Sequence, residues 1–326
     1  MRASTCLVTG GSGFVGGRLI EHLVGRGWTV TALVRNGDAA RIARERGARP
    51  VEGALTDPAA LHAACRDCEA VFHVAAHFKL WGDPVEFERT NVEGTAHLLE
   101  AARQASVTRF VQLGAAAVVM GDIEAMSNVD ESLPRQQRRW APYSASKARS
   151  EALVLGANRP GIFESVVVRP PMIWGAGMPM LDHMIETVRA GRFRWVGDGS
   201  QAMSTAHVDN VCHALEAAAV RGRGGEAYFI SDDDDSTVKA VVSGLLRTRD
   251  VEPPRASVPL GLAWLMAGMM EWAWRTFSRR GEPPITRQML RLVGAPFTVD
   301  ISKAKRELDY RPVVTRERGL AQMRGG

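Results

Sequence analysis

Short apolar, β-branched runs alternate along this chain with longer stretches whose apolar residues recur at helical spacing. The first run, Cys6-Leu7-Val8, predicts a strand, and over residues 14–24 Val15, Leu19 and Leu23 fall on one helical face. Residues 28–34 predict a second strand, 39–46 a short basic helix, and 49–55 a third strand with its exit. Thr56-Asp57-Pro58 has the composition of a helix start, with proline just inside it. Residues 70–76 are apolar almost without a break, the mark of a strand covered on both faces in a parallel sheet. A helix over 91–104, a fifth strand over 109–114, a helix over 143–155 and a sixth strand over 165–171, stopped by Pro170 and Pro171, complete the alternation. The pattern predicts an α/β fold with a doubly wound parallel sheet. It assigns residues 1–170 to the sheet-forming domain, with a strand near 225–231 returning to it. Residues 171–326 are less regular, richer in Pro, Met and Trp, and are expected to form mostly a smaller C-terminal lobe.

Gly10, Gly13 and Gly16 stand between the first strand and the first helix. In such a turn one glycine permits the tight bend, another lets backbone approach a ligand, and a third lets helix and strand pack closely. The free N–H groups at the helix start then face a pyrophosphate, whose charge the helix dipole favours. Strand, glycine turn and helix together point to a dinucleotide and make the sheet Rossmann-type. The second strand ends at Arg35, about 20 residues past the glycines, where an NAD site usually carries Asp or Glu for the ribose hydroxyl. No acid stands there; Asp38 comes later. Arg35 offers a planar cationic fork suited to a 2′-phosphate, so NADP(H) is favoured over NAD(H). The plainer use of Arg35 is as a solvated arginine at a strand end.

The whole-chain numbers narrow the field without choosing a chemistry. The 326 residues are 45% hydrophobic and 24% charged, ordinary for a globular protein. A net charge of +5, with arginines scattered rather than blocked, permits a basic face toward anionic lipid or a phosphate-bearing ligand and gives no reason to expect nucleic acid. Met1-Arg2-Ala3-Ser4 runs straight into the first strand, so no secretory leader is expected; with four cysteines, a cytoplasmic protein fits best. Cys65 and Cys68 have CxxC spacing but lack a second pair, and are expected to be two small loop residues. Asp232 to Asp235 reads as a solvated acidic loop and not as a metal site.

Tyr143 and Lys147, four apart on a predicted helix, share one face. A free tyrosine has a pKa near 10, and an ammonium beside it is expected to lower that value, giving a proton donor and acceptor for a carbonyl or alcohol oxygen. With these residues in view the chain resembles the extended short-chain dehydrogenase/reductases, the NAD-dependent epimerase/dehydratase family. The resemblance rests on residues 9–16, on Tyr143 with Lys147, on His73-Val74-Ala75-Ala76, Asn91-Val92-Glu93-Gly94-Thr95, Arg169-Pro170 with Trp174-Gly175, and His207-Val208-Asp209, and on two segments near the C-terminus, 300–304 and 308–312. It covers nearly the whole chain. Ala117-Val118-Val119-Met120-Gly121 and a late apolar segment lean toward the 3β-hydroxysteroid dehydrogenase-like branch. The resemblance implies a proton relay through Tyr143, with Lys147 also holding the nicotinamide ribose. It implies NADP(H) contacts from Gly10, Ser12, Gly13, Phe14, Val15 and Gly16, from Arg35, Ala75, Tyr143 and Lys147, and from Pro170 and Ile173.

Two positions depart from that family. Ala54 stands where an Asp usually touches the adenine, which leaves backbone and Leu55 to hold that end. The hydroxyl residue expected to bond the substrate oxygen should fall near Ala115 or Ala116, and neither carries a hydroxyl. Losing such a donor costs about 3 kcal/mol of transition-state stabilisation. Another donor or a water substitutes, or turnover is weak, or there is none.

Residues 258–274 are apolar, a little short of the roughly 20 needed to span a membrane, and Glu271 interrupts them. Trp264, Trp272 and Trp274, followed by Arg275, Arg279 and Arg280, suit a helix lying peripherally on the inner face of a membrane. A buried helix closing the smaller lobe, or a homodimer surface, uses the same residues equally well. In every case the substrate entrance is expected to be apolar. The leading expectation is an NADP(H)-dependent oxidoreductase acting on the keto or hydroxyl group of a lipid-like molecule: a 3-keto sphingolipid, a β-keto acyl lipid or a 3β-hydroxysteroid. The rivals are a nucleotide-sugar epimerase or dehydratase, with Arg192, Arg194 and Arg287 as diphosphate clamps, and a non-catalytic dinucleotide sensor. No metal is expected.

Overall fold

The computed structural model describes residues 4–277 and 281–325. Its central sheet holds seven strands: β1 Thr5–Thr9, β2 Thr29–Val34, β3 Arg49–Glu52, β4 Ala70–His73, β5 Arg109–Leu113, β6 Glu164–Arg169 and β7 Ala227–Phe229. They lie in the order β7-β6-β5-β4-β1-β2-β3, and every pairing is parallel. The chain winds from β1 out to β3, then crosses back to β4 and continues outward to β7. This is the doubly wound arrangement, and it opens a crevice at the carboxyl ends of β1 and β4, where the winding reverses.

The strands are apolar on both sides because helices cover both sides. Against one face lie α1 (Phe14–Gly25), α2 (Gly37–Glu45) and, further along, α6 (Val208–Arg221). Against the other lie α3 (Pro58–Cys65), α4 (Gly94–Gln104) and α5 (Pro142–Gly156). The punctuation expected from the sequence appears at α3, where Asp57 Oδ1 accepts the Ala60 N–H at 3.1 Å and Pro58 is the first helical residue. The helix expected over 91–104 has a different start. Residues Glu88–Glu93 form a wider π-helical turn that leads into α4, and such turns are frequent at functional sites.

Two later helices build one wall of the molecule. α7 (Leu260–Thr276) holds the apolar run, and α8 (Arg287–Val293) follows it. Glu271, which seemed to interrupt the run, faces inward and is 1% exposed. Its carboxylate accepts the Arg287 backbone N–H and Nε–H, each at 2.7 Å, and so pins the start of α8 to α7. Trp264 also turns inward, edge-on to Trp140 at 5.2 Å between ring centroids, whereas Trp272 is exposed. Of the tryptophans expected to face lipid, Trp264 thus packs inside the protein, while Trp272 stays exposed on the surface. Arg279 and Arg280 lie outside the described residues, and among those described no helix is long and apolar enough to cross a membrane.

The acidic run at 232–235 is not all solvated. Asp233, Asp234 and Asp235 are exposed, but Asp232 is buried and accepts four hydrogen bonds. The donors are Trp174 Nε1 at 2.7 Å, Thr205 Oγ1 at 2.8 Å, the His207 backbone N–H at 2.6 Å and Asn210 Nδ2 at 2.7 Å. This carboxylate ties the short strand Met172–Trp174 and its parallel partner Thr205–His207 to α6. Cys65 and Cys68 are both buried, Cys65 as the last residue of α3 rather than in a loop. Among the described residues no group of His, Cys, Asp and Glu could hold a metal.

Candidate active site

The candidate residues from five separate stretches of sequence follow the carboxyl ends of adjacent strands. Gly10 follows β1, Arg35 follows β2, Ala54 and Leu55 follow β3, Ala75 follows β4 and Pro170 follows β6. Parallel strands bring all of them to one edge of the sheet. At the centre of that edge the backbone is crowded. Gly10 has φ +74, and a Cβ there would stand 3.0 Å from the Cα and N of Ala75. A Cβ on Gly16 would stand 2.1 Å from the Gly10 carbonyl oxygen, so α1 can seat against the turn only with glycine at that position. Gly13 is the N-cap of α1 and supplies no side-chain cap, which leaves first-turn N–H groups available to an anion. Ser12 and Gly13 are exposed, Phe14 and Val15 half-buried. The turn is a cradle that side chains would fill, and its donors suit a pyrophosphate.

Arg35 is exposed at the end of β2 and, among the described residues, makes no hydrogen bond or ion pair. The sequence reading missed another cation at the glycine turn. Arg46, just past α2, reaches back to donate from Nη1 to the Gly11 carbonyl at 3.0 Å, with Glu21 3.3 Å from its Nε. Nothing in the spacing of a surface arginine some thirty residues away signals that contact. Ala54 and Leu55 are half-buried, and Leu55 offers its carbonyl to His97 Nδ1 at 3.3 Å. Ile173 lies in the strand Met172–Trp174, in register with Ala206.

A buried polar chain runs beneath this edge. Thr9 Oγ1 accepts the backbone N–H groups of Val74 and Ala75 at 3.1 Å and sits 2.9 Å from His73 Nδ1. His73 Nε2 is 2.9 Å from Thr95 Oγ1, which is 2.9 Å from Ser150 Oγ, which accepts from Gln112 Nε2 at 2.6 Å. Burial, with the Lys147 charge nearby, pulls His73 down to about 3, so it is a neutral structural link at physiological pH. Asn91, in the π-helical turn, accepts from the His77 N–H at 2.7 Å and donates to the His77 carbonyl at 3.2 Å and to Ser146 Oγ at 2.9 Å. It thereby ties the loop after β4 to α5.

α5 carries Tyr143 and Lys147. Lys147 is buried, and its ammonium donates to the Leu113 carbonyl at 2.6 Å. Burial pulls its pKa down to about 8, although Glu151, one turn further on, opposes the fall. Tyr143 is half-buried, with the Phe78 ring edge-on at 5.0 Å. Its phenol is pushed up by burial, not drawn down as the lysine's proximity suggested. Loss of solvation alone causes the shift, and the ammonium is turned to the Leu113 carbonyl. Tyr143 is therefore a protonated donor at neutral pH. Ala115 and Ala116 are buried where β5 runs into the single 3₁₀ turn Ala116–Val119, and that turn packs on α5. The Ala116 N–H donates to the Pro170 carbonyl at 2.8 Å, so backbone, not a hydroxyl, joins the exits of β5 and β6.

Residues 6–231 match the model of the NAD dependent epimerase/dehydratase family. A 4-hydroxy-2-methyl-3-oxo-4-farnesyl-3,4-dihydroquinoline-1-oxide ketoreductase of Stigmatella aurantiaca is 40% identical, over 97% of this chain and 95% of its own. A 3-beta-hydroxysteroid dehydrogenase of Mycolicibacterium neoaurum is 32% identical, over 97% of this chain and 89% of its own. Among solved structures, that of MoeE5 in complex with UDP-glucose and NAD superposes with a TM-score of 0.74 at 25% identity, covering 99% of this chain and 98% of the other.

Lys147 should lose its proton near pH 8: charged below that value, neutral above it. Nitrogen NMR of protein labelled at lysine, with Lys147→Arg to assign the signal, measures the midpoint directly. A midpoint near 10 would show that the ammonium is not desolvated.

Proposed function

The chain belongs to the NAD-dependent epimerase/dehydratase family, and on that premise we propose that it is an NADP(H)-dependent ketoreductase acting on a hydrophobic, lipid-like substrate. It is an enzyme of the dehydrogenase/reductase kind, like the relatives it matches, and not a sensor without turnover. The observation that carries this reading is that Tyr143 and Lys147 stand one helical turn apart on α5, with Lys147 bonded to the exit of β5 and Tyr143 against Phe78 of the loop after β4, so that a phenol and an ammonium share the edge of the sheet where the glycine turn lies.

The residues divide the work as follows. The glycine turn from Gly10 to Gly16, Ala75 and Pro170 hold the dinucleotide, with Lys147 on its nicotinamide ribose, and Ala54, Leu55 and Ile173 bound it. Arg35 faces the 2′-phosphate that distinguishes NADP(H) from NAD(H), and Arg46 adds charge to the same end of the turn. The bound dinucleotide supplies hydride chemistry that no side chain offers. Tyr143 delivers the proton to the keto oxygen. Phe78 against Tyr143, with Trp140 against Trp264, supplies aromatic surface that suits a sterol, a β-keto acyl lipid or a 3-keto sphingolipid.

The nucleotide-sugar reading wants free cations in the C-terminal lobe. Arg287 is paired with Glu271 at 2.7 Å, and Arg192 and Arg194 are exposed, with Arg194 bonded to nearby carbonyls of its own loop. Arg287 and Arg194 are thus already engaged, which leaves Arg192 as the one of the three whose side chain has no partner among the described residues.

On the outer face of α7, Leu262, Leu265, Met269 and Trp272 form an exposed stripe at helical spacing. Arg275, exposed in the last turn, stacks over Trp81 at 5.0 Å. A lipid-like substrate must leave a bilayer, and an apolar stripe with a cation at one end suits the headgroup region of an anionic membrane better than a dimer contact. We place the protein peripherally on the inner face of the cytoplasmic membrane.

Three measurements check these statements. Tyr143→Phe should lose at least 10³-fold in kcat for reduction of a keto lipid while binding cofactor nearly as well as wild type; full activity would move the proton donor elsewhere. Arg35→Ala should weaken NADPH binding by about tenfold and leave NADH binding unchanged, read by fluorescence titration, and equal affinities for both in wild type would remove the case for NADP(H). Wild type should float with anionic vesicles at low salt, and Leu265→Ser with Trp272→Ser should not; a salt-independent dimer in place of vesicle binding would assign the stripe to a second copy.

A further inference from the structure

Glycine weakens a helix relative to alanine, so two consecutive glycines in the first turn of α1 call for an explanation. Gly16 has one in the Gly10 carbonyl. Gly17 has another: a Cβ there would stand 1.6 Å from Arg46 Nη1, 2.3 Å from its Cζ and 2.9 Å from its Nη2. The bare backbone at Gly17 is a notch in the helix, and the Arg46 guanidinium lies in it. Two features keep it there. Arg46 closes α2, whose end is fixed by Gly47 at φ +87: the Gly47 N–H donates to the Arg44 carbonyl and the Ala48 N–H to the Ala43 carbonyl, both at 2.9 Å. Glu21, one turn further along α1, stands 3.3 Å from Arg46 Nε and is itself 3.0 Å from Arg18 Nη1.

From the notch, Nη1 donates to the Gly11 carbonyl at 3.0 Å. Every described peptide bond is trans, so the Gly11 carbonyl and the Ser12 N–H, which share one plane, point in opposite directions. A carbonyl held toward Arg46 therefore turns the Ser12 N–H away from the cation. That N–H has no acceptor among the described residues, and Ser12 is exposed. The plane has a glycine on one side, which permits many orientations, and the charge-assisted bond from Arg46 selects this one.

Resting on the reading of the turn as a dinucleotide cradle, we propose that Arg46 is a positioning residue. Seated against Gly17, it locks the Gly11–Ser12 peptide with the N–H free for the anionic part that NADPH and NADH have in common. A donor already in place loses little freedom when the anion arrives, and the affinity gains accordingly. The guanidinium is engaged by the Gly11 carbonyl and Glu21, so Arg46 acts on the turn and leaves the 2′-phosphate to Arg35. The two arginines then have separable tasks: Arg35 discriminates between the dinucleotides, and Arg46 serves both alike. Gly17 belongs to the same device, because any side chain there evicts the guanidinium.

Nitrogen NMR relaxation of the ligand-free protein reads the lock directly. The order parameter of the Ser12 amide should be about 0.85 in wild type and below about 0.6 in Arg46→Ala. Fluorescence titration should show Arg46→Ala weakening NADPH and NADH by the same factor, roughly tenfold. Gly17→Ala keeps the charge but displaces it, and should weaken both dinucleotides to the same degree. The double variant should bind no more weakly than either single one, because both substitutions act through one contact. A loss confined to NADPH would make Arg46 a direct ligand of the 2′-phosphate and overturn the proposal. Unchanged affinities, or a Ser12 amide equally rigid without Arg46, would overturn it too. If wild type binds neither dinucleotide, the cradle reading falls by itself, and the Ser12 order parameter alone decides whether Arg46 is the lock.

Discussion

A buried ion pair holds the candidate site in register. Glu151 of α5 and Arg169 at the end of β6 are fully enclosed, joined at 2.9 and 2.5 Å, with Arg135 3.2 Å from the same carboxylate. Glu151 lies one helical turn beyond Lys147, and Arg169 immediately precedes Pro170. The pair therefore fixes the rail that carries Tyr143 and Lys147 against the end of β6, while the Pro170 carbonyl fixes Ala116 and the exit of β5. Breaking such a pair from one side typically costs about 3–5 kcal/mol, because the surviving charge stays buried. Here the placement of Tyr143 and Lys147 against the end of β6 would be lost with it.

What could be read from the sequence was local. The strand, the three glycines and the helix after them are contiguous, and each glycine has a steric reason visible within the segment or in the next strand over. Tyr143 and Lys147 are one helical turn apart, so their shared face follows from the helix alone. The alternation of strands and helices gave the doubly wound sheet, because parallel strands need covered faces and crossover helices. What could not be read depended on partners far along the chain. Asp232 looks like one member of a solvated acidic run until Trp174, Thr205 and Asn210 converge on it. Arg46 looks like a surface arginine until α2 delivers it to Gly11. The direction of the Tyr143 shift was missed for a related reason: spacing shows that an ammonium is near, but not how little water surrounds the phenol.

The segment forming α7 shows the limit of periodicity. Its residues are so uniformly apolar that inner and outer faces cannot be told apart by pattern. The one charged residue, Glu271, resolves the orientation, and in the direction opposite to its polarity. It points inward because Arg287 meets it there, and this leaves Leu265 and Trp272 outside and Trp264 toward Trp140. Read as an interruption it argued against a membrane span; read as half of an ion pair it fixes which face is buried.

Lys147 also makes the candidate site work against the stability of the fold. An ammonium that titrates near 8 when folded and at its ordinary 10.5 when unfolded is, below pH 8, a charge that folding must strip of water. The difference amounts to about 3 kcal/mol. It is carried in full at neutral pH and relieved as the pH rises from about 8 toward 10.5, where the unfolded chain holds the proton and the folded one does not. His73 acts in the same sense on the acid side. Its folded value near 3 lies below the ordinary 6.5, so stability falls as pH drops through that interval and the unfolded chain takes up a proton the folded one refuses. Lys147 and His73 thus both favour higher pH, while the buried cysteines and tyrosines, whose values burial raises, oppose them once the pH passes about 9. An anionic dinucleotide that compensates the Lys147 charge would repay part of the cost of burying it, so cofactor supply would help set how much folded enzyme a cell retains.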